Sequence, residues 1–328
     1  MKPIVNGRFL ARQVSGVERY GREVLTALGD RLRVVRTGEA NQGWRGHAWE
    51  QFILPGRVGA GEVLWSPANS GPLSVANQVL TLHDLSPLEH PEWFRPDYAR
   101  WYGLFLPLLA RRVKRIIVPS DYVRRKALAR FSLAEERVVT IPEGVDGQKF
   151  HPSKAPKKPY VLFVGTLEPR KNLAGLLEAW KMLQERHKDH ALVLAGGRGQ
   201  VFSAQALDGK LERVRFSGRI TEAELPGLYA GAELFIQPSH DEGFGLTVLE
   251  AMACGTAVIT ARSGALPEVT GEAGLYFDPA KPAEIAATME RCLDDPALRA
   301  DMREKGLERA ARFSWTESAE RIWQVLQR

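Results

Sequence analysis

ELFIQPSHDEGFGLTVLEAMACGTAVIT, residues 233–260, is the stretch from which the rest of the chain can be read. Leu234-Phe235-Ile236 has the length and composition of a buried strand, and Pro238-Ser239-His240-Asp241 breaks it. Gly243-Phe244-Gly245 follows. Leu246, Val248, Leu249 and Met252 then fit a short helix that Gly255 ends, and Ala257-Val258-Ile259 reads as the next strand. A strand, a glycine loop, a helix and a strand in that order place a phosphate at a helix N-terminus. Gly243 and Gly245 let backbone N–H groups come close to an anion, and the helix dipole favours negative charge there. Two carboxylates bracket this terminus, Glu242 and Glu250, with seven residues between them. Carboxylates beside a phosphate site make sense if they face neutral hydroxyls, which a nucleotide sugar offers on both sides of its diphosphate. Glu250 lies roughly 7 Å along the helix axis at ~1.5 Å per residue, which suits a ribose. A capping acid and a solvated helical Glu are the plainer alternative for such a pair taken alone.

The run DEGFGLTVLEAMACGTAVI resembles the signature of retaining, nucleotide-sugar-dependent glycosyltransferases of family four. Those enzymes have the GT-B architecture, an α/β fold of two Rossmann-like domains whose parallel sheets face across a cleft. The resemblance implies that Glu242 contacts the transferred sugar and Glu250 the ribose, with Gly243, Phe244, Gly245, Leu246 and Thr247 around the donor diphosphate. It extends over most of the chain and is similar to short bacterial mannosyltransferases of surface-polysaccharide pathways.

Length and composition agree with such a fold. The chain has 328 residues, enough for two domains, with 44% apolar and 26% charged residues as in ordinary globular proteins. No apolar run reaches the ~18 residues of a membrane span, and MKPIVNGRFL lacks the apolar core of a signal peptide. Cys254 and Cys292 form no disulfide framework and no metal-ligand cluster, so a reducing cytoplasm is expected. The net charge of +6 is uneven: residues 1–153 carry +7 and the remainder −1. The basic half is densest at Arg111-Arg112-Val113-Lys114-Arg115 and at Arg124-Arg125-Lys126 with Arg130. No nucleic-acid-binding motif accompanies it, so nucleic acid is excluded as a partner; a solvated face or an anionic membrane surface fits the charge.

Taken in order, Ile4-Val5 starts the first domain and a polar loop follows, in which Arg8 and Arg12 either reach a ligand or are solvated surface. Val17, Tyr20, Val24, Leu25 and Leu28 line one face of a helix that begins at Gly16. The resemblance gives Gly16 an approach to the diphosphate, although the family's usual Gly-Gly pair is Ser15-Gly16 here. Val34-Val35, Val63-Leu64-Trp65 and Gln78–Leu82 read as further parallel strands. Between the first two, residues 43–59 hold Trp44, Trp49 and Phe52, either packed on the sheet or forming an acceptor-facing flap, with packing preferred. His83-Asp84 sits at a strand's carboxyl end, where open α/β sheets bind ligands. By resemblance His83 lies near the sugar's reacting carbon, with Asp84 as its orienter. Where the family commonly has Asn, this chain has Glu143, which is assigned no role on that ground.

PSKAPKKP, residues 152–159, reads as the linker, so the expected division is 1–152, 153–311 and a final segment 312–328 crossing back to the first domain. After the strand Tyr160–Val164 come Arg170 and Lys171, cations suited to a departing diphosphate. The family's usual Arg position is Thr166 here, so Lys171 is the matching phosphate ligand and Arg170 a substitute by proximity. Gly218 and Ile220 resemble the segment that meets the nucleotide base.

The expected activity is hexose transfer, with retention and without a metal, from a nucleotide diphosphate-sugar, GDP-mannose or a UDP-sugar. The acceptor is a glycan or a polyprenyl-diphosphate-linked oligosaccharide at the inner face of the plasma membrane. No cofactor is needed beyond the donor itself. A sugar-nucleotide epimerase or hydrolase, and a non-catalytic nucleotide-sugar-binding scaffold, remain open beside it; a dinucleotide oxidoreductase is weaker, since no G-x-G-x-x-G follows the first strand.

Overall fold

The computed structural model describes residues 2–38, 43–153, 156–197 and 212–328. The chain divides into two compact units, Met1–Gly144 with Ser314–Arg328, and Val145–Phe313. The boundary thus falls earlier than the proline-rich segment suggests. Val145 donates its N–H to the Phe313 carbonyl at 3.2 Å, and Phe150 is already part of the second core. Of the expected linker, Lys154 and Ala155 lie outside the described residues, and Lys158 and Pro159 belong to a strand.

The first unit joins its parallel strands by crossovers, most of which carry a helix. Its strands are β1 Ile4–Asn6, β2 Arg33–Val35, β3 Leu64–Ser66, β4 Gln78–Thr81, β5 Arg115–Val118 and β6 Val138–Thr140. They form one parallel sheet in the order β2-β1-β3-β4-β5-β6. The helices are α1 Gly16–Leu28, α2 Gly43–Ala48, α3 Ser86–Glu89, α4 Pro96–Arg112 and α5 Asp121–Phe131. Local sequence explains their starts. Ser15 and Glu18 form a capping box at α1, Pro96 opens α4 where a missing N–H costs nothing, and the Ser120 hydroxyl caps α5. Tyr102, Phe105, Leu106 and Leu109 of α4 bury one face against Leu80, Ile116 and Val118 of the sheet. In the tryptophan-rich segment only part of the packing expectation holds. Trp49 joins Ile4, Leu54 and Leu64, whereas Trp44 is 55% and Phe52 82% exposed.

The second unit repeats the plan. Its strands are β7 Lys158–Val164, β8 Ala191–Ala195, β9 Val214–Gly218, β10 Ala232–Gln237, β11 Ala257–Ala261 and β12 Gly274–Phe277, all parallel in the order β12-β11-β10-β7-β8-β9. Its helices are α6 Leu173–Leu183, α7 Leu225–Gly231, α8 Leu246–Ala253, α9 Leu266–Thr270, α10 Pro282–Asp294 and α11 Pro296–Ala310. The central strands are apolar on both faces, as strands covered by helices on both sides must be: Leu234, Phe235, Ile236, Val258 and Ile259 have no exposed surface. Cys254 and Cys292 are free and buried in this core.

The chain then returns to the first unit as α12, Trp315–Gln327. Its apolar face carries Trp315, Ala319, Ile322 and Leu326, with Trp315 against the Tyr20 ring at 5.9 Å. Gly144 is required here, because a Cβ at that position would lie 2.2 Å from the Trp315 nitrogen. Among the described residues no helix is long and apolar enough to cross a membrane.

Candidate active site

In the second sheet the chain leaves β7 in one direction and β10 in the other, so the β7/β10 boundary is a topological switch point, where open α/β sheets bind ligands. The loops after these two strands carry the expected residues, and the structure brings them together. Arg170 and Lys171 sit in a short 3-10 turn, Pro169–Lys171, after β7; Glu242 follows β10. The His240 N–H donates to the Arg170 carbonyl at 2.9 Å, fastening one loop to the other.

Glu242 is the hub. Its Oε1 accepts from Lys171 Nζ at 2.5 Å, Gln237 Nε2 at 2.8 Å and Ser239 Oγ at 2.7 Å, and its Oε2 accepts from Arg170 Nη1 at 2.7 Å. Three of these donors meet Oε1 and one meets Oε2. The resemblance gives Glu242 a contact to the transferred sugar; in this structure its carboxylate holds the two cations. Burial would push the Glu242 pKa up, yet Arg170 and Lys171 hold it well below the carboxylate range. Burial, then the neighbouring Arg170, push the Lys171 ammonium below its ordinary value against the pull of Glu242. On its outer side Arg170 also donates to the half-buried Glu168 at 2.8 Å.

Beside this cluster α8 starts as the glycine loop predicts. Gly245 has φ +117°, a left-handed backbone, and an added Cβ would meet Leu266 Cδ2 at 2.9 Å. Gly243 and Phe244 are buried in the same turn, Leu246 is the first helical residue, and Thr247 Oγ1 donates to Gln237 Oε1 at 3.2 Å. Gln237 thereby links α8 to Glu242, a role for which its position at the end of an apolar strand is the only sequence signal. Glu250 does not join the cluster. It is 1% exposed, and its Oε2 accepts from the Tyr229 hydroxyl at 2.9 Å in the aromatic neighbourhood of Phe150 and Phe235. Gly218 ends the edge strand β9, with its carbonyl accepting from Gly196, and Ile220 packs half-buried against the core just beyond.

The first unit holds a second group of expected residues. His83 follows β4, with Nε2 at 2.8 Å from the Pro67 carbonyl and Nδ1 at 3.2 Å from a Glu143 carboxylate oxygen. A carbonyl only accepts, so Nε2 carries its hydrogen; a carboxylate at Nδ1 then favours the imidazolium. Burial opposes that charge, but Glu143, the Pro67 carbonyl and Asp84 outweigh it and raise the His83 pKa above its ordinary value. The Tyr20 ring from α1 stands edge-on to the imidazole at 4.8 Å. Asp84 is not the orienter: its Oδ1 accepts from the Ser86 N–H at 3.0 Å, closing a local turn. Glu143, set aside because the family has Asn there, fills that role. Its place just after β6, at the same edge of the sheet as His83, was the available clue.

Gly16 is exposed at the start of α1, and a Cβ there would meet nothing within 4 Å, so the helix terminus is open. Arg8 is not a solvated or ligand-seeking residue. It is buried and ion-paired to Glu50 at 3.0 Å. Arg12 lies 3.7 Å from Glu18. Elsewhere in the second unit His187, Glu290 and Asp294 bring ligand atoms within 4.8 Å of one another, but Arg186 already pairs with Glu290 at 2.7 Å.

Comparison with known proteins finds family models and relatives over most of the chain. A family model described as "Glycosyl transferases group 1" matches residues 146–309, and one described as "Glycosyltransferase Family 4" matches residues 61–149. O-antigen chain mannosyltransferase B of Escherichia coli is 34% identical over 262 residues, covering 74% of this chain and 68% of that protein. The MMP alpha-(1->4)-mannosyltransferase of Mycolicibacterium hassiacum is 32% identical over 237 residues, 69% of this chain and 57% of the relative. Among solved structures, HepE of Anabaena in complex with UDP and glucose superimposes with a TM-score of 0.79 at 19% identity, covering 100% of both chains.

Proposed function

The chain belongs to the group 1 glycosyl transferases, and on that footing we propose that it moves a mannosyl residue from GDP-mannose to a glycan hydroxyl with retention of configuration. That it is a glycosyltransferase of GT-B fold follows from the family; the donor, the stereochemistry and independence of a metal are our reading. The observation that carries it is the pair of cations, Arg170 and Lys171, held by one buried carboxylate at the β7/β10 switch point beside the N-terminus of α8. As the bond between the sugar's anomeric carbon and phosphate breaks, negative charge grows on the diphosphate, and fixed cations with helix N–H groups stabilise it. The acceptor oxygen bonds to that carbon on the same face while its proton passes to the departing phosphate oxygen, so no protein base is required. His83, with Nε2 on the Pro67 carbonyl and Nδ1 on Glu143, has no ring nitrogen left to take that proton.

Mannose is preferred because two mannosyltransferases are among the relatives; a UDP-sugar is the second reading, favoured by the UDP in the superimposed HepE structure. The acceptor we propose is a growing surface glycan, free or linked to a polyprenyl diphosphate. Glu250 would take the ribose hydroxyls by exchanging its Tyr229 partner.

Thermal unfolding against a panel of nucleotides and nucleotide sugars tests this. One nucleotide series should stabilise the protein, by ~2.7 kcal/mol at a hundredfold excess over its dissociation constant, and Glu250→Ala should abolish the shift. Proton NMR of the transfer product then reads the anomeric configuration. No stabilisation by any nucleotide would refute the donor site, and an inverted product would refute the proposed mechanism.

A further inference from the structure

Nine large apolar side chains are exposed among the described residues, and six of them lie in the first unit between Trp44 and Leu108. Helix α4 presents the clearest group. While Tyr102, Phe105, Leu106 and Leu109 are buried, Leu104 is 75% and Leu108 57% exposed on the opposite face. Arg100, Leu104, Leu108 and Arg111 fall within an arc of roughly 80° at 100° per residue, so two leucines are bracketed along one face by two exposed arginines. Arg112 and Lys114 extend the basic end. Asp97, the acid on this face, is held by Arg95 at 2.9 Å. Aromatic rings flank the leucines: Trp101 stacks on Phe105 at 5.0 Å, the exposed Trp44 of α2 stands edge-on to Trp101 at 5.2 Å, and Tyr98 is 40% exposed.

We propose that the outer face of α4, with Trp44 of α2 beside it, docks onto an anionic lipid bilayer and lies in its headgroup region. Apolar side chains between basic ends, bordered by Trp and Tyr, are the composition of helices that rest in a membrane interface, where leucines enter the acyl boundary and arginines reach phosphates. The charge of +7 on residues 1–153 gives attraction of the matching sign. A second copy of the chain fits the face less well. Pairing α4 with itself in either direction sets arginine against arginine, Arg100 facing its own equivalent or the Arg111–Arg112 end, whereas anionic lipid neutralises every one of them. This inference goes beyond the donor-site reading and does not depend on it.

The experiment is flotation of the full chain with vesicles of phosphatidylcholine, with and without phosphatidylglycerol, in parallel with light scattering for oligomeric state. Wild type should float with the phosphatidylglycerol vesicles only, less so as salt is raised. Leu104→Ser/Leu108→Ser should bind at least about tenfold more weakly, as should Arg100→Glu/Arg111→Glu, since both lose half of the two-part attraction. All four positions are exposed, and retention of the unfolding temperature of wild type verifies that each variant folds. Wild type that stays unbound by anionic vesicles overturns the proposal, as do variants that float like wild type. A wild-type dimer that the leucine variant dissolves, without flotation of either, assigns the face to a second copy and also overturns it. Nucleotide-induced stabilisation is read separately, so failure here leaves the donor site untouched and the converse holds too.

Discussion

The two units solve the same problem at equivalent places with opposite results. Each sheet has a switch point, between β1 and β3 in the first and between β7 and β10 in the second, and each has an arginine–glutamate pair at the strand ends there. In the first unit the pair is closed. Arg8 and Glu50 balance one to one, with side chains 5% and 1% exposed. Ser70 bonds to both, Asn6 donates to Glu50, and the remaining cavity is about 10 Å³, room for no more than a water molecule. Burial, and then Arg8 and Arg12, push the neighbouring His47 down to about 3, so it adds no charge. In the second unit one buried carboxylate serves two cations, all three groups keep some exposure, and a helix N-terminus lies alongside. A neutral, filled switch point is a piece of core. A switch point where two cations share one buried carboxylate, with Glu168 as a second partner of Arg170, keeps fixed positive charge close to helix N–H groups.

Glu242→Ala breaks the comparison most severely. It leaves the buried Lys171 without its carboxylate partner and the half-buried Arg170 with Glu168 alone, with an expected loss of about 3–5 kcal/mol in stability and at least ~10²-fold in transfer rate. Pyrophosphate should then stabilise the variant more than wild type, read as unfolding temperature against ligand concentration. A variant as stable as wild type would return Glu242 to the role of a simple hydroxyl ligand.

Arg8→Met is expected to cost a similar ~3–5 kcal/mol by stranding Glu50, while leaving nucleotide-induced stabilisation intact. Adding Glu50→Leu should recover most of the loss, because a filled switch point tolerates an apolar filling. Urea unfolding of the single and double variants measures both. Loss of nucleotide response in Arg8→Met would mean that the first switch point is not merely core.

The smallest effect concerns His83. Its pKa is raised in the folded protein, so the pairing with Glu143 stabilises fully below the ordinary value of 6.5 and fades as pH rises through the raised one. Glu143→Gln should cost ~1–2 kcal/mol below that window and little above it, flattening the pH dependence. Unfolding temperature across pH 5–9, about the range in which a histidine titrates, tests the sign. A cost that grows with pH would exclude the imidazolium.

Much of this was legible in the chain. Val79-Leu80, Ile116-Ile117-Val118, Leu192-Val193-Leu194 and Phe235-Ile236 are apolar runs of strand length, and only a sheet buried on both faces accepts them. Gly245 marked the loop before a helix, and Arg170, Lys171, Glu242 and His83 were singled out by strand-end position together with the family resemblance. Pairing was less visible. Asp84 follows His83 directly, yet neighbours in sequence at a strand end point away from each other, and Glu143 arrives from a strand two places along the sheet. Arg8 could not be told from a solvated arginine, since Glu50 lies on a segment whose only sequence signal was its aromatic residues.

The sequence by itself determined two parallel α/β units, their order and the residues at their strand ends, because hydrophobic period, glycine and proline act locally. Which charged group meets which was decided only by tertiary structure. An ion pair depends on distances set by strand order and loop closure, and those assigned Glu242 to two cations, Glu50 to Arg8 and Glu143 to His83.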